Sequence, residues 1–362
     1  MEFNDLVKLT DNEFLSYYDE RIPDDVTYID TGSYIINALY SGSIYKGIPS
    51  NKIVSYIGEP QTGKTFFTLS AVKSFLNSDK HNAVIYFESE GALQPNQSDT
   101  NELLDSFGID KERFKILPVD TVQKFRHQIT KVLDGYSDAV NNNKKMPKLL
   151  ICLDSMGNLG TSKEFEDAAE GKEVQDMSRA RLLKSTFRVI TLKLAKLKIP
   201  MIITNHVYSQ IGAMFPQQIP SGGQGLIYCS SIIVALSRRK EKDGTDVIGN
   251  IIHCKNFKNR LVKENKIVDT LLTYDSGLNR YYGLNTLAEK YGIFKRVGNR
   301  YELPDGTKAF EKQLNNESEK YYTKEILDLI DSAAAKEFLY GSDRIVEQQV
   351  EKKETKAKCK TQ

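Results

Sequence analysis

One motif constrains the fold of this chain more than any other feature: the run Gly58, Glu59, Pro60, Gln61, Thr62, Gly63, Lys64 and Thr65. It has the form GxxxxGK followed by Ser or Thr, it follows the apolar run KIVSYI, and it precedes a helical stretch, as a phosphate-binding P-loop requires. Its glycines let successive backbone N–H groups surround a phosphate, Lys64 supplies a point charge to the outer phosphates, and the Thr65 hydroxyl can ligate Mg²⁺. A glycine turn without a ligand is the alternative, and the complete motif in this setting disfavours it.

The chain around this motif alternates short β-branched runs with amphipathic helical stretches from about residue 50 to residue 275. This pattern predicts an α/β core, a mostly parallel twisted sheet flanked by helices. The predicted strands are KIVSYI, AVIYFES, KLLICLDS, IPMIITNH, SIIVALS, NIIHCKNF and KIVDTLLTY.

Both ends of the chain depart from this alternation. Thr10 to Glu13 has the form of a capping box and predicts a short N-terminal helix. Beyond Gly283 the pattern predicts a helix around Leu287, a strand pair on either side of Gly298 and Asn299, and a helix from Lys324 to about Phe338. We therefore predict an N-terminal arm (1–28), the α/β core (29–284), a small α+β C-terminal domain (285–345) and a basic tail (346–362).

Composition excludes several classes of protein. The 50 Lys and Arg nearly cancel the 48 Asp and Glu, so any contact with nucleic acid must come from a local patch. Cysteines at 152, 229, 254 and 359 are too scattered for a disulfide framework and form no CxxC pair for zinc. The N-terminal residues do not have the form of a signal peptide, and no window has transmembrane length. We expect a cytoplasmic protein without a membrane partner.

Acidic residues follow two of the predicted strands. Asp154 ends an apolar run, where ligands of open α/β sheets bind, and is the candidate Mg²⁺-holding Walker B aspartate. Capping of the next turn is its alternative role. Glu88 and Glu90 follow the strand at Ala83–Phe87, and a carboxylate there can polarise the water that attacks a phosphate, unless both acids are simply solvated.

Three further features suggest a binding surface for DNA or for another subunit. A helix from about Glu173 to Lys198 carries an apolar face with Ala180, Leu183, Phe187, Ile190, Leu194 and Leu197, and a basic stripe of Arg181, Lys184 and Arg188. The stripe binds an anion or is merely a solvated face. The loop from Val207 to Gly225 is too rich in Gly and Pro for a helix or strand, and it carries the apolar Ile211, Met214 and Phe215 and the pair Gly222 and Gly223.

These residues suit contact with DNA. Apolar side chains in such a loop can wedge between bases or pack on a neighbouring subunit, and glycine N–H groups can approach phosphates. A flexible surface loop is the alternative. Lys258 and Arg260 follow a predicted strand at positions i and i+2, so both side chains point the same way and can reach one target, or they are exposed loop cations.

The order GEPQTGKT, FESEGAL, LICLDSMGNL, TNH and IGAMFPQQIPSGGQG resembles that of the RecA-type recombinases over roughly residues 29–310. Within that family, SMGNL, SKEFEDA and LLKSTFRVIT are most similar to the phage UvsX recombinases. The resemblance implies a RecA-like P-loop ATPase that uses ATP and Mg²⁺, polymerises on single-stranded DNA as a helical filament, and pairs it with homologous double-stranded DNA for strand exchange. A single-strand-binding protein and a mediator are further candidate partners.

The resemblance also implies residue roles. Glu90 matches the catalytic glutamate, and His206 matches a polar sensor of the γ-phosphate. Arg181 and Arg188 match contacts to DNA phosphates, and Lys258 with Arg260 matches cations that reach the nucleotide of the neighbouring protomer. The N-terminal arm matches the strap that holds that neighbour.

The family's DNA-binding loops fall near residues 157–172 and 207–225. The first is acidic here, with Glu164, Glu166, Asp167 and Glu170, so the resemblance gives it a location without a mechanism. Gln97 stands near the position of an adenine-stacking aromatic, and the stacking residue stays unassigned. The basic tail also differs from the acidic tail of many relatives.

Two other functions fit a RecA-like core. A hexameric helicase has the same ATPase core but closes into a ring, and the segment IGAMF with its following glycines argues against it. A mediator paralogue binds ATP and a recombinase without exchanging strands, and has no need of Glu90, Lys258 and Arg260. A small-molecule P-loop kinase is less consistent still, since it uses an Arg-rich lid.

Overall fold

The computed structural model describes residues 3–10, 26–172, 178–209 and 218–341. Its helices are α1 Phe3–Lys8, α2 Tyr34–Ser41, α3 Lys64–Ser78, α4 Ser98–Phe107, α5 Val122–Asn141, α6 Ser162–Ala169, α7 Arg179–Leu197, α8 Gly225–Cys229, α9 Leu284–Lys290, α10 Glu311–Asn316, α11 Ser318–Tyr321 and α12 Lys324–Phe338, with a 3-10 turn at Met156–Asn158. Its strands are β1 Tyr28–Ile29, β2 Ile48–Pro49, β3 Ile53–Gly58, β4 Ala83–Glu88, β5 Phe114–Pro118, β6 Leu149–Asp154, β7 Met201–Ser209, β8 Gln218–Pro220, β9 Ile232–Asp243, β10 Asp246–Asn259, β11 Ile267–Thr273, β12 Gly277–Leu278, β13 Lys295–Val297, β14 Arg300–Glu302 and β15 Lys308–Phe310.

The main sheet has the order β12-β11-β10-β9-β3-β7-β6-β4-β5, with β8 attached to β7. Strands β9, β3, β7, β6, β4 and β5 are parallel to one another, and β10, β11 and β12 continue the sheet in antiparallel pairing. This arrangement confirms the predicted fold class. It also brings the carboxyl ends of β3, β4, β6 and β7 to one edge of the sheet, where ligands of open α/β sheets bind.

The apolar core forms two layers, one on each face of this sheet. Successive residues of a strand point to opposite faces, so Tyr86 lies in the layer beneath α3 while Phe87 lies in the layer beneath α5 and α7. In the second layer the Phe87 and Phe125 rings meet edge to face, with their centroids 5.1 Å apart. Helices on both faces thus fix the strands that carry the site.

The C-terminal elements follow the predicted order. Helix α9 and the hairpin β13–β14 lie where expected, and α12 spans the predicted Lys324–Phe338. Apolar side chains from this region, including Phe294 and Tyr322, belong to the same buried cluster as Tyr56 of β3. The boundaries of the predicted domain at 285–345 stay a prediction, and the basic tail at 346–362 lies outside the described residues.

At the other end of the chain, α1 falls within the predicted N-terminal arm. The capping box predicted at Thr10–Glu13 lies mostly outside the described residues. Across the described ranges, every helix is too short or too polar to cross a lipid bilayer.

Candidate functional site

The P-loop connects the end of β3 to the start of α3. Lys64 is buried, and its ammonium donates hydrogen bonds to the carbonyl oxygens of Gly58, at 3.1 Å, and Glu59, at 2.9 Å. Burial lowers the pKa of Lys64, and the nearby carboxylates of Glu90 and Asp154 oppose that effect. The loop therefore holds its one cation at the carboxyl edge of the sheet and surrounds it with acceptors.

Glycine is required at both ends of this loop. A Cβ on Gly58 would lie 2.6 Å from the Leu236 carbonyl oxygen of the neighbouring strand β9. Gly63 has φ of +87°, a left-handed conformation that favours glycine. The spacing of the motif thus follows from close backbone packing as well as from phosphate chemistry.

A cluster of oxygen atoms lies beside the P-loop. The Thr65 hydroxyl donates to Asp154 Oδ2 at 2.7 Å, and the Tyr86 hydroxyl donates to the same oxygen at 2.6 Å. The Thr204 hydroxyl donates to the other carboxylate oxygen of Asp154. A carboxylate and hydroxyls are the hard ligands that Mg²⁺ prefers, so this donor set fits the predicted ion. Tyr86 and Thr204 were not predicted to belong to this site, because Tyr and Thr are common in β-strands.

The two acids after β4 have different environments. Glu88 is buried, and its carboxylate accepts hydrogen bonds from the N–H groups of Glu90, Gly91 and Ala92 at 2.9, 3.0 and 3.0 Å. Glu90 projects from this turn, and its side chain is 26% exposed. Glu88 therefore shapes the turn and Glu90 is presented to the site, a division that two nearby acids in a sequence do not reveal.

Glu90 forms a pair with the predicted sensor. Its Oε1 lies 2.8 Å from His206 Nε2. The hydrogen bond from His206, together with attraction to Lys64, holds the pKa of Glu90 below its usual value despite partial burial. Glu90 is therefore ionised at neutral pH. The structure thus brings Glu90, His206 and Lys64 together at one edge of the sheet.

His206 is also packed against the loop region near residue 157. A Cβ on Gly157 would lie 2.9 Å from His206 Cδ2, so the imidazole needs a glycine there. The backbone on either side is tied to the glycine-rich loop: the Ser221 N–H donates to the His206 carbonyl at 2.8 Å, and the Asn205 amide donates to the Ser221 carbonyl at 2.8 Å. One histidine thus contacts both regions predicted to bind DNA.

The expectation that residues 207–225 avoid strands and helices was wrong at its edges. Strand β7 continues to Ser209 and pairs antiparallel with β8, with Val207 opposite Pro220. Helix α8 begins at Gly225. The expectation rested on the Gly and Pro content of the segment. A Pro at the end of an edge strand is nevertheless compatible with strand pairing. Ile211, Met214 and Phe215 lie outside the described residues.

The glycine pair sits against α7. Gly222 and Gly223 have φ of +80° and +76°. Cβ atoms there would lie 3.1 Å from Leu183 Cδ1 and 3.3 Å from Ala180 Cβ, respectively. The pair therefore lets the loop lie close to the helix that carries the basic stripe.

Helix α7 has the predicted apolar face, with Leu183, Phe187, Ile190 and Leu194 buried, whereas Ala180 is exposed and Leu197 only partly buried. Its basic stripe of Arg181, Lys184 and Arg188 is exposed to solvent. The Lys184 ammonium lies 5.3 Å from the centre of the Tyr228 ring. Residues 173–177 of the predicted helix lie outside the described residues.

Arg179, at the start of α7, was missed by the sequence interpretation. Its guanidinium donates to the backbone carbonyls of Leu159, of Met156 at 3.0 Å and of Gly157 at 2.6 Å, and burial lowers its pKa. Arg179 thus joins α7 to the turn that also contacts His206. Its position two residues before Arg181 gave no signal for this role.

The acidic loop near residues 157–172 contains helix α6. Thr161 and Glu164 form a capping box, in which the Thr161 N–H donates to Glu164 Oε2 at 2.7 Å and the Glu164 N–H donates to the Thr161 hydroxyl at 3.1 Å. Glu164 therefore has a structural role, and Asp167 is buried. Glu166 and Glu170 remain exposed.

The second cation pair contacts the end of α8. The Lys258 ammonium donates to the carbonyls of Ile227 and, at 2.8 Å, Ser230, while the Arg260 guanidinium donates to the Tyr228 carbonyl at 3.2 Å. Cations are favoured at helix C-termini because the last carbonyls are unpaired there. Burial and then repulsion from Arg260 lower the pKa of Lys258. The predicted strand NIIHCKNF ends at Phe257, whereas β10 continues to Asn259. Lys258 therefore lies inside the strand, and only Arg260 follows it.

A mostly parallel sheet with a P-loop after one strand, an aspartate at the end of another and a glutamate near the P-loop lysine defines a P-loop nucleotide-binding protein of the RecA class. Comparison with family models confirms this: the model of the RecA N-terminal domain matches residues 11–279, and the chain belongs to this family.

Individual relatives agree with this assignment. The chain is 30% identical over 265 residues to the Recombination and repair protein of Enterobacteria phage T4, covering 73% of this chain and 64% of that protein. It is 29% identical over 287 residues to Protein RecA of Thermotoga sp. strain RQ2, covering 78% of this chain and 74% of that protein. It is 28% identical over 288 residues to Protein RecA of Streptomyces rimosus, covering 78% and 69%. The chain thus matches less than two thirds of the length of the phage relative.

Proposed function

We propose that this chain is an ATP-dependent recombinase that forms a helical filament on single-stranded DNA and catalyses homologous pairing and strand exchange with double-stranded DNA. One observation supports this most strongly. The 2.8 Å contact between Glu90 and His206 joins the P-loop edge to the strand pair β7–β8, which flanks the predicted DNA-binding loop. Such a link is what a protein needs if nucleotide state is to govern DNA binding.

At the nucleotide, Lys64 exchanges the carbonyls of Gly58 and Glu59 for the outer phosphates of ATP. Thr65 and Asp154 would hold Mg²⁺, and the bound ion would supply positive charge near the phosphates. Glu90 is ionised and lies near enough to Lys64 for their charges to interact, so it is placed to orient and polarise the attacking water. Glu88 positions Glu90 through its three backbone hydrogen bonds.

His206 is the sensor in this mechanism. A γ-phosphate competes with Glu90 for the imidazole, and the His206 backbone carries the change to Ser221 through a 2.8 Å hydrogen bond. Gly222 and Gly223 follow Ser221 directly and lie against α7. The presence of the γ-phosphate is therefore transmitted to residues that we assign to DNA.

Arg181, Lys184 and Arg188 bind the phosphates of single-stranded DNA, and Ile211, Met214 and Phe215 act on base spacing or on subunit packing. The stripe is exposed and adjoins the glycine pair, which supports a shared surface. Loop 157–172 contributes to this DNA-binding surface through Gly157, whose carbonyl accepts a hydrogen bond from Arg179. Its acidic residues are not assigned a phosphate contact.

Lys258 and Arg260 act on the nucleotide of the neighbouring protomer. To reach it they release the carbonyls of Ile227, Tyr228 and Ser230, so assembly frees the end of α8 in the same step. Because α8 begins where the glycine-rich loop ends, this exchange couples filament formation to the DNA surface. The N-terminal arm at 1–28 straps onto the neighbouring core, and ATP lies at each protomer interface.

The experiment that tests this function measures ATP hydrolysis with and without single-stranded DNA while the DNA is imaged. We expect stimulation by DNA and helical filaments. Closed rings on DNA would favour a hexameric helicase. ATP binding without DNA-stimulated hydrolysis or filaments would favour a mediator paralogue.

A further inference from the structure

Strand β9 runs beside the P-loop strand and continues past it. Gly58, the last residue of β3, is in register with Leu236 of β9. The absence of a side chain at Gly58 leaves room for the Leu236 carbonyl. Beyond that point β9 extends to Asp243, so its next residues lie over the phosphate-binding turn.

Arg238 uses this position to contact the turn directly. Its Nη2 donates to Gln61 Oε1 at 2.8 Å. Gln61 has φ of +62°, a left-handed conformation that residues other than glycine adopt only at a cost. Gln61 is exposed, so the surrounding protein does not enclose it, and Arg238 holds its side chain from outside the loop.

We propose that Arg238 is a positioning residue for the P-loop: by holding Gln61 it keeps the turn in the shape that points its backbone N–H groups at the phosphates. This rests on the proposed nucleotide site. The arginine touches the loop through a side chain that has no role in hydrolysis. Its loss should therefore weaken nucleotide binding and leave the chemical step nearly intact.

The chain offers a matched control. Arg239 is the next residue on the same strand, and its side chain lies on the opposite face, where it lines a cavity with His253 and Tyr282. Arg239→Gln removes the same charge from β9 without removing a contact to the P-loop. It separates the effect of the hydrogen bond from the effect of net charge.

The test measures nucleotide affinity with a fluorescent ADP analogue, and KM and kcat for DNA-stimulated ATP hydrolysis, in the full-length protein. For Arg238→Gln we expect affinity to fall and KM to rise about fivefold, the range of the net contribution of one typical hydrogen bond, with kcat within about twofold. Arg238→Lys should recover part of the affinity, since an ammonium can still donate to the amide oxygen.

The decisive comparison uses Gln61→Gly as a second background. Glycine adopts positive φ freely and has no side chain to hold. Arg238→Gln should therefore have almost no additional effect on KM when Gln61 is already glycine. An equal effect in both backgrounds, or an equal effect of Arg239→Gln, would overturn the proposal. A parent protein that binds no ATP would instead overturn the proposed function.

Discussion

The nucleotide edge and the basic stripe of α7 are built differently. At the edge, Lys64, Asp154 and Glu90 each have defined partners within 3.1 Å and are wholly or partly buried. On the stripe, Arg181 and Arg188 project into water. Buried, oriented groups act on chemistry, because displacing one changes the electrostatics at the reacting atoms. Exposed charges act mainly through long-range attraction that salt screens, so they give binding without precise geometry.

This difference predicts the largest effect at Lys64. Lys64→Ala removes the one cation of the P-loop, so we expect DNA-stimulated ATP hydrolysis to fall by at least about a hundredfold, the size of losing a main electrostatic contact to the transition state. A coupled ATPase assay measures it. Undiminished hydrolysis would contradict the nucleotide-site assignment.

Glu90→Gln should slow hydrolysis by about a hundredfold or more while ATP and DNA binding persist, because the amide cannot polarise water. Glu88→Gln is the contrasting variant. It weakens the hydrogen bonds that shape the turn, so Glu90 should be positioned less well and hydrolysis should slow although Glu90 itself is unchanged. Loss of ATP binding in Glu90→Gln would make Glu90 structural.

The pH profile tests the pair at Glu90 separately. The pKa of Glu90 is held down by His206, so the carboxylate stays ionised until the pH falls below the usual glutamate range. Activity that depends on it is present above that pKa and is lost as the pH falls through it. His206→Ala should move this acidic limb to higher pH, measured as kcat/KM against pH, because that profile reports the groups of the nucleotide-free protein. An unmoved limb would show that His206 does not hold down the pKa of Glu90 in the nucleotide-free protein.

A mixing experiment tests the cations at α8. Lys258→Ala with Arg260→Ala should bind nucleotide but fail to gain ATPase activity on assembly. Combined with Lys64→Ala, it should recover partial activity, because some interfaces join an intact P-loop to an intact cation pair. Absence of recovery at every ratio, with filaments confirmed, would argue against action in trans.

The smallest effect is expected at the stripe. Arg188→Ala should weaken single-strand binding for all sequences and reduce the slope of log K against log salt by roughly 0.7, the counterion release of one phosphate contact. Phe215→Ala should leave that slope unchanged, since it carries no charge, and should impair joint-molecule formation instead. Salt titrations of both variants decide the matter, and an unchanged slope for Arg188→Ala would remove the stripe from the DNA site.

The sequence predicted most of what buried runs and a complete motif can encode. β3, β4, β6 and β7 were predicted because their apolar runs are bounded by polar ends, and the P-loop because its spacing is distinctive. Strand β5 was not predicted, because Phe114–Pro118 is a short edge strand. Only Phe114 is buried in it, and Ile116 and Leu117 are partly buried.

The contacts that organise the site were harder to predict. Glu88 accepts hydrogen bonds from backbone N–H groups, and Arg179 donates to backbone carbonyls, so neither contact depends on the type of the partner residue. Arg238 donates to the Gln61 amide, which lies far away in the sequence. Their roles depend on strand register and on the approach of distant segments. The sequence shows that these charged residues are present, but it does not show which groups they contact.

In the function proposed for this protein, ATP binding at this site drives exchange of DNA strands. Its most direct test incubates the protein with circular single-stranded DNA and a homologous linear duplex and follows joint molecules on a gel. We predict joint molecules with ATP and Mg²⁺, few with ADP, and none with a non-homologous duplex. Filaments that hydrolyse ATP yet form no joint molecules with the homologous duplex would contradict the proposed recombinase function.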